Sequence, residues 1–304
     1  MHLAPVALFV YNRPKHTLRT LEALSKNYLS DQSELYIFSD GSKIDCDQDQ
    51  LAKIKEVREI IASKKWCKTV NIIESDTNNG LASSIIIGIN KVLLTSDRII
   101  VLEDDLVCSK GFLKYMNDAL TIYESDRNVM HIAGYQHPFI KLRSSTFFSN
   151  TMNCSGWGTW RRAWVQFIPD IENISKRILN KNVLIIDPLV YRICEQIRAN
   201  KNGTNSTWAV KWYCTIILNN GLCLNPNISL IRNIGFDYSG SNPLMDLSLV
   251  YQKTSERIIV KRIAPRQKKC LIIYILFLKF FSSSFRIKKE MIKKMLFPRC
   301  EFYL

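Results

Sequence analysis

Three adjacent carboxylates, Glu103, Asp104 and Asp105, close the apolar run Ile99–Leu102. Like charges this close repel, so a fold that keeps them together must supply a cation or a set of donors. Hard divalent ions such as Mg²⁺ or Mn²⁺ take oxygen ligands and commonly serve a bound phosphate. Two further polar groups end apolar runs in the same way: Arg13 follows Ala4–Val10, and Asp40 follows Leu35–Ser39. A guanidinium there can grip a diphosphate, and a carboxylate can accept hydrogen bonds from a base or ribose edge. Each has a plainer reading, respectively a solvated acidic turn, a helix-start ion pair and an Asp-Gly turn. Their common placement after apolar runs favours a ligand site. Neither GxGxxG nor GxxxxGK[ST] occurs in the chain, so phosphate binding would rest mainly on a metal.

The surrounding pattern states which elements position these groups. Strands are expected at Ala4–Val10, Leu35–Ser39, Val70–Ile73 and Ile99–Leu102, the last buried on both faces because its residues are all apolar. Between them fall helical patterns: Leu18, Leu21 and Leu24 behind Pro14; Leu51, Ile54, Val57, Ile60 and Ile61; and Leu81–Leu94. Ser109 is the expected N-cap of a helix carrying Phe112, Leu113, Met116, Ala119 and Leu120. This alternation predicts an α/β fold with a parallel, helix-covered sheet and right-handed crossovers. Arg13, Asp40 and the three acids then share the carboxyl edge of the sheet, where open α/β sheets bind ligands.

Beyond Leu120 the pattern turns to short strands, Val129–Ala133 and Thr146–Phe148, and then to Ser155-Gly156-Trp157-Gly158-Thr159-Trp160. Gly156 and Gly158 would let the backbone approach a ligand, with Trp157 as a platform for the C–H face of a sugar. Trp160 and Trp164 read as core. Asp170–Lys201 reads as helical, interrupted by Pro188; Trp208–Leu218 reads as a buried helix ended by Asn219-Asn220-Gly221; Leu230–Asn242 reads as loop and contains Asp237. The expected organisation is a first half, 1–125, a second half of the same domain, 126–256, and a basic tail, 257–304.

An apolar fraction of 47% over 304 residues is ample for a core and excludes a disordered chain. Of the net charge of +15, +11 lies from Arg257 onward, which points to an anionic surface as partner. Cys270–Phe281 is too short and interrupted to span a membrane, but flanked by Arg and Lys over 266–299 it resembles an interfacial anchor on an anionic membrane. A nucleic-acid partner is not expected, because the charge surrounds apolar residues and no binding motif is present. Nine scattered cysteines without a CxxC pair read as reduced thiols, and no signal peptide is expected at the N-terminus.

YNRP, FSDG, NNGLASS, VLEDDL, SGWGTW and NIGFDYSGS, in this order over Val6–Asn242, resemble the bacterial family 2-like glycosyltransferases of surface-polysaccharide synthesis. They are more distantly similar to eukaryotic N-acetylglucosaminyltransferase I. The resemblance implies a GT-A fold, a nucleotide-sugar donor, a glycan or lipid-linked acceptor, and Mn²⁺ or Mg²⁺. It further implies that Asp105 coordinates the metal, that Asp104 and Glu103 contact ribose and donor sugar, that Arg13 meets the diphosphate or uridine, that Asp40 meets uracil, and that Ser84 contacts the donor. The expected site is cytoplasmic, at the inner face of the cell membrane. The chain departs from the family where related sequences carry the general base in a WDxxW-like pattern: here stands Trp208-Ala209-Val210-Lys211-Trp212, and Asn242 replaces an expected His. Alanine takes no proton, so either another carboxylate such as Asp237 serves as base, or the pattern aligns with a local shift here, or the protein binds donor without efficient transfer.

Overall fold

A computed structural model describes residues 2–137, 144–180, 188–235, 237 and 253–261. The first half alternates as expected: β1 (Val6–Val10), α1 (Pro14–Ser25), β2 (Glu34–Ser39), α2 (Gln48–Ala62), β3 (Thr69–Glu74), α3 (Leu81–Thr95) and β4 (Arg98–Glu103). All five residues of β1 are buried, as are the four apolar residues of β4, which is why both run as uninterrupted apolar stretches. Pro14 opens α1, where its missing N–H is no loss, and the Asp47 side chain caps α2 by accepting from the Gln50 N–H. The buried face of α1 consists of Thr17, Thr20, Leu21 and Leu24, whereas Leu18 is partly exposed. A spacing of three drifts off the 3.6-residue period, so the expected Leu18–Leu21–Leu24 stripe is corrected at its first member.

The remaining elements are β5 (Leu106–Cys108), α4 (Phe112–Ile122), β6 (Val129–Ala133), β7 (Thr146–Ser149), β8 (Trp157–Trp160), α5 (Arg161–Trp164), α6 (Ile171–Asn180), α7 (Pro188–Lys201), α8 (Trp208–Leu218), β9 (Leu222–Pro226) and β10 (Ile231–Asn233). Helix α4 buries the five predicted apolar residues, but its N-cap is Gly111 and not Ser109. The intervening residues are taken up by β5, which pairs antiparallel with β10 in a small second sheet, and Ser109 N–H donates to Leu230 O instead.

The main sheet has the order β3-β2-β1-β4-β8-β6-β9-β7. Strands β3, β2, β1 and β4 are parallel, β8 runs antiparallel between β4 and β6, β6 and β9 are parallel, and β7 closes the edge antiparallel to β9. The sheet is thus mixed and mostly parallel, of GT-A type as expected, with the four strands of the first half all parallel and β8 the antiparallel member beside β4. That strand, Trp-Gly-Thr-Trp, is buried throughout, and an antiparallel partner needs no crossover helix.

The described residues form two compact units. One comprises those of Met1–Val165 and Leu222–Arg266 and contains both sheets; the other comprises those of Gln166–Gly221, where α6, α7 and α8 pack Ile174, Ile178, Ile193, Ile197, Val210 and Cys214 together. Lys253–Lys261, which spans the end of the second half and the start of the tail as read from the sequence, belongs to the first unit, with Ile258 and Val260 buried. The rest of the tail, including 266–299, lies outside the described residues. No helix among the described residues is long and apolar enough to cross a membrane. The seven described cysteines are free.

Candidate active site

The chain winds from β1 to β2 to β3 in one direction and then returns to place β4 on the other side of β1. The order reverses between β1 and β4, and crevices of this kind receive ligands in open α/β sheets. Phe9 is in register with Glu103, so the loops carrying Tyr11–Arg13 and Asp104–Asp105 leave the sheet side by side.

Arg13 lies between the two aspartates. Its Nη2 is 2.6 Å from Asp104 Oδ1 and 2.7 Å from Asp105 Oδ2, and Nε donates to Asp104 Oδ2 at 3.4 Å. The three side chains are only 15%, 12% and 18% exposed, a setting in which a charge needs its partner. Burial works against the guanidinium's charge, but Asp104 and Asp105 more than offset it and hold Arg13 firmly protonated. Thr20 of α1 fixes the loop from below, its hydroxyl donating to the Asp104 carbonyl at 2.7 Å. The crowding that the sequence presents is therefore relieved by a cation from the chain itself.

Glu103 has no such relief. Burial, followed by the neighbouring Asp105 and Asp104 carboxylates, pushes its pKa up to about 8, with Arg13 pulling weakly the other way. Its folded pKa lies above its unfolded one. This carboxyl therefore favours the fold fully below the ordinary glutamate range, and the contribution is lost as pH rises through about 8. Urea denaturation is expected to give a stability on the order of 1–3 kcal/mol lower at pH 9 than at pH 6, with most of that difference removed by Glu103→Gln.

Asp40 is buried and used as a brace. Its Oδ1 accepts from the N–H groups of Gly41 at 3.0 Å and Asn79 at 2.9 Å, and Oδ2 accepts from Gly80 N–H at 3.0 Å. These bonds tie the loop after β2 to the turn before α3, where Gly80 takes a left-handed φ of 74° that favours glycine. Ser84, one turn into α3, buries a hydroxyl that no group among the described residues satisfies. Ser84 is thereby left as a candidate polar contact, while Asp40 is chiefly occupied in shaping the loop.

The SGWG segment departs from expectation. Trp157 is 0% exposed; it stacks on His131 with centroids 5.2 Å apart and meets Trp164 at 6.0 Å. His131 is held neutral by burial, its pKa down at about 3, and its Nε2 lies 3.0 Å from the Asn153 carbonyl. The expected sugar platform is thus corrected: both edges of the Trp157 backbone are committed to sheet pairing, with β4 and β6, and the ring fills the core. Gly158 is buried in the same strand, where an added Cβ would press on the Ile99 carbonyl, so its role is packing. Gly156 has a left-handed φ of 68° and abuts Ile231, making it a turn residue between strands.

Several groups around the acids escaped the sequence reading. Thr20 was hidden in a helix pattern scored for apolar residues. Gly235 belongs to the NIGFD stretch, where Ile234 N–H donates to the Asp105 carbonyl at 2.9 Å and a methyl on Gly235 would overlap the Asp105 carboxylate. His16 lies in the first turn of α1 and its Nε2 is 3.0 Å from Asp237 Oδ2, which brings the proposed substitute base onto the same unit as Arg13 and the acids. A histidine three residues after Arg13 was the available signal. Ala209, half-buried in the first turn of α8, belongs to the other unit.

Among the described residues no three His, Cys, Asp or Glu side chains converge as a metal-binding set. The donors that are present suit a divalent ion shared with a ligand: Asp105 offers a hard carboxylate, and diphosphate and water oxygens would have to complete the shell.

Comparison with solved structures gives low-scoring likenesses. S. aureus TarS in complex with UDP matches at 15% identity over 53% of this chain and 48% of that one, with a TM-score of 0.35. The galactosyltransferase LgtC with donor and acceptor sugar analogues matches at 9% identity over 58% and 64%, with a TM-score of 0.33. A longer S. aureus TarS structure is covered over only 29% of its length, at 16% identity, 53% of this chain and a TM-score of 0.35. A search of curated proteins finds no match. The family model for glycosyl transferase family 2 matches residues 6–185, which takes in β1 to β4, the Arg13–Asp104–Asp105 cluster and the SGWG strand, and the chain belongs to that family.

Proposed function

We propose that the protein moves a sugar from a nucleoside diphosphate donor, UDP-linked, to a glycan or lipid-linked acceptor, with inversion and with the help of Mn²⁺ or Mg²⁺. The observation that carries this reading is the placement of Arg13, Asp104 and Asp105 together where the sheet order reverses between β1 and β4. A diphosphate brings to this site the anionic oxygens that a guanidinium prefers, and Arg13 would pass from the aspartates to the donor. Asp105 would then hold the divalent ion, which supplies Lewis-acid stabilisation of the charge that builds on the departing nucleoside diphosphate. Asp104 and Glu103 face the ribose and sugar, Ser84 offers its unsatisfied hydroxyl, and Asp40 keeps the base-side loop in shape. Asp237, not Ala209, is the group that accepts the acceptor hydroxyl's proton as its oxygen attacks the anomeric carbon. The basic and apolar stretch 266–299 would keep the enzyme on the anionic inner face of the cell membrane, near a lipid-linked acceptor.

The alanine at position 209 favours a second reading, a nucleotide-sugar binder without efficient turnover. One experiment tests both. Thermal unfolding with a nucleotide panel and Mn²⁺ is expected to show stabilisation by UDP of about 3 kcal/mol at a hundredfold excess over Kd, lost in Asp105→Ala. Absence of stabilisation by every nucleotide would overturn the donor site itself; stabilisation without hydrolysis of any UDP-sugar would select the second reading.

A further inference from the structure

Asp237 is held in a defined position by a residue outside the family motifs. His16 lies one turn past Arg13 on α1, so the two side chains are neighbours on the helix surface. Its Nε2 is 3.0 Å from Asp237 Oδ2. The two partners differ in access: the His16 side chain is 13% exposed and that of Asp237 is 44% exposed. A mostly covered imidazole therefore meets a carboxylate that is partly exposed. The strand leading to Asp237 is fixed on the same acids, through the pairing of Asn233 with Leu106 and the Ile234 N–H bond to the Asp105 carbonyl at 2.9 Å.

We propose that His16 is a positioning residue for sugar transfer, its Nε2–H donating to Asp237 Oδ2 and holding that carboxylate beside the acid cluster. This rests on the glycosyl-transfer reading above. In the step that Asp237 serves, the acceptor O–H proton passes to the carboxylate, the acceptor oxygen bonds to the anomeric carbon, and the bond from that carbon to the diphosphate oxygen breaks, leaving the nucleoside diphosphate with the electron pair. His16 touches neither sugar. Its contribution is to fix the direction of the accepting oxygen, for which a geometric error of an ångström is costly.

The test is hydrolysis of a UDP-sugar panel by the full chain, with water as acceptor, alongside calorimetric titration with UDP and Mn²⁺. His16→Ala is expected to lower kcat roughly tenfold or more while KM and the UDP Kd stay within about twofold, and His16→Gln, which keeps an N–H donor, is expected to recover most of the loss. In an Asp237→Asn background, His16→Ala should have little further effect, because the two residues act as a unit. Wild-type kcat in His16→Ala, or equal losses in His16→Ala and His16→Gln together with weaker UDP binding, would overturn the assignment. A wild-type protein that binds UDP and hydrolyses no UDP-sugar would also overturn it, while leaving the donor site standing; a wild-type protein that binds no nucleotide would instead remove the reading on which it rests.

Discussion

Replacing Arg13 with alanine is expected to lower stability by about 3 kcal/mol at neutral pH and to abolish UDP binding, since it removes the cation that, among the described residues, is set between Asp104 and Asp105. The aspartate side chains are 12% and 18% exposed, so water replaces little of what the guanidinium supplies. Breaking such a pair costs more than the pair itself contributes, because uncompensated charge is left behind. A second consequence separates Arg13 from an ordinary structural ion pair. In the wild type a divalent ion approaching Asp105 meets a guanidinium already bound there, so Mn²⁺ alone should raise the melting temperature little and should act strongly only with UDP, whose diphosphate offers Arg13 a new partner. In Arg13→Ala that competitor is gone, and Mn²⁺ alone should restore part of the lost stability. Thermal unfolding of both proteins with Mn²⁺, UDP and the two together reads this out. Equal stabilisation of wild type and variant by Mn²⁺ alone would show that Arg13 does not compete for the ion.

Trp157→Ala is expected to destabilise the protein by about 3–5 kcal/mol, the range for emptying a fully buried tryptophan site, and Trp157→Phe by considerably less. The ring is packed against His131 and Trp164 at the junction of β4, β8 and β6, where the cavity has little freedom to collapse because its walls are paired strands. Denaturant unfolding of both variants gives the magnitude, and titration with UDP decides between packing and binding. A core residue predicts unchanged UDP affinity in Trp157→Phe. A sugar platform predicts near-normal stability with weakened donor binding, and that outcome would reverse the reading of the SGWG strand.

The element pattern of the first hundred residues was readable because β1 and β4 are buried on both faces and the helices carry one buried stripe each, so apolar runs and 3.6-residue spacing report burial directly there, while the edge strand β3 is only partly covered. The same rule puts Arg13, Asp40 and the acids at one edge of the sheet. It failed at β8 for a related reason: Trp, Gly and Thr in succession carry no alternation, and the strand is specified by neighbours more than a score of residues away, Leu120 beneath Gly158 and Met130 accepting from the Thr159 hydroxyl. Ser109 failed as an N-cap because local cap chemistry was outcompeted by a tertiary strand pair, β5 with β10.

For the site, the sequence alone determined which charges the carboxyl edge would carry, since strand ends are set by the chain's own apolar runs. Only the tertiary structure decided how those charges are shared. Arg13 and Asp104 are 91 residues apart, so their bond depends on β1 and β4 lying side by side in register, which no local pattern encodes. Asp40 became a loop brace through a bond to the Asn79 N–H, 39 residues on, and Asp237, which meets His16, follows β10, beyond which Ile234 N–H bonds to the Asp105 carbonyl. Partner choice among like residues is a long-range property, and burial then shifts the protonation that follows, as the raised pKa of the buried Glu103 beside Asp105 and Asp104 illustrates.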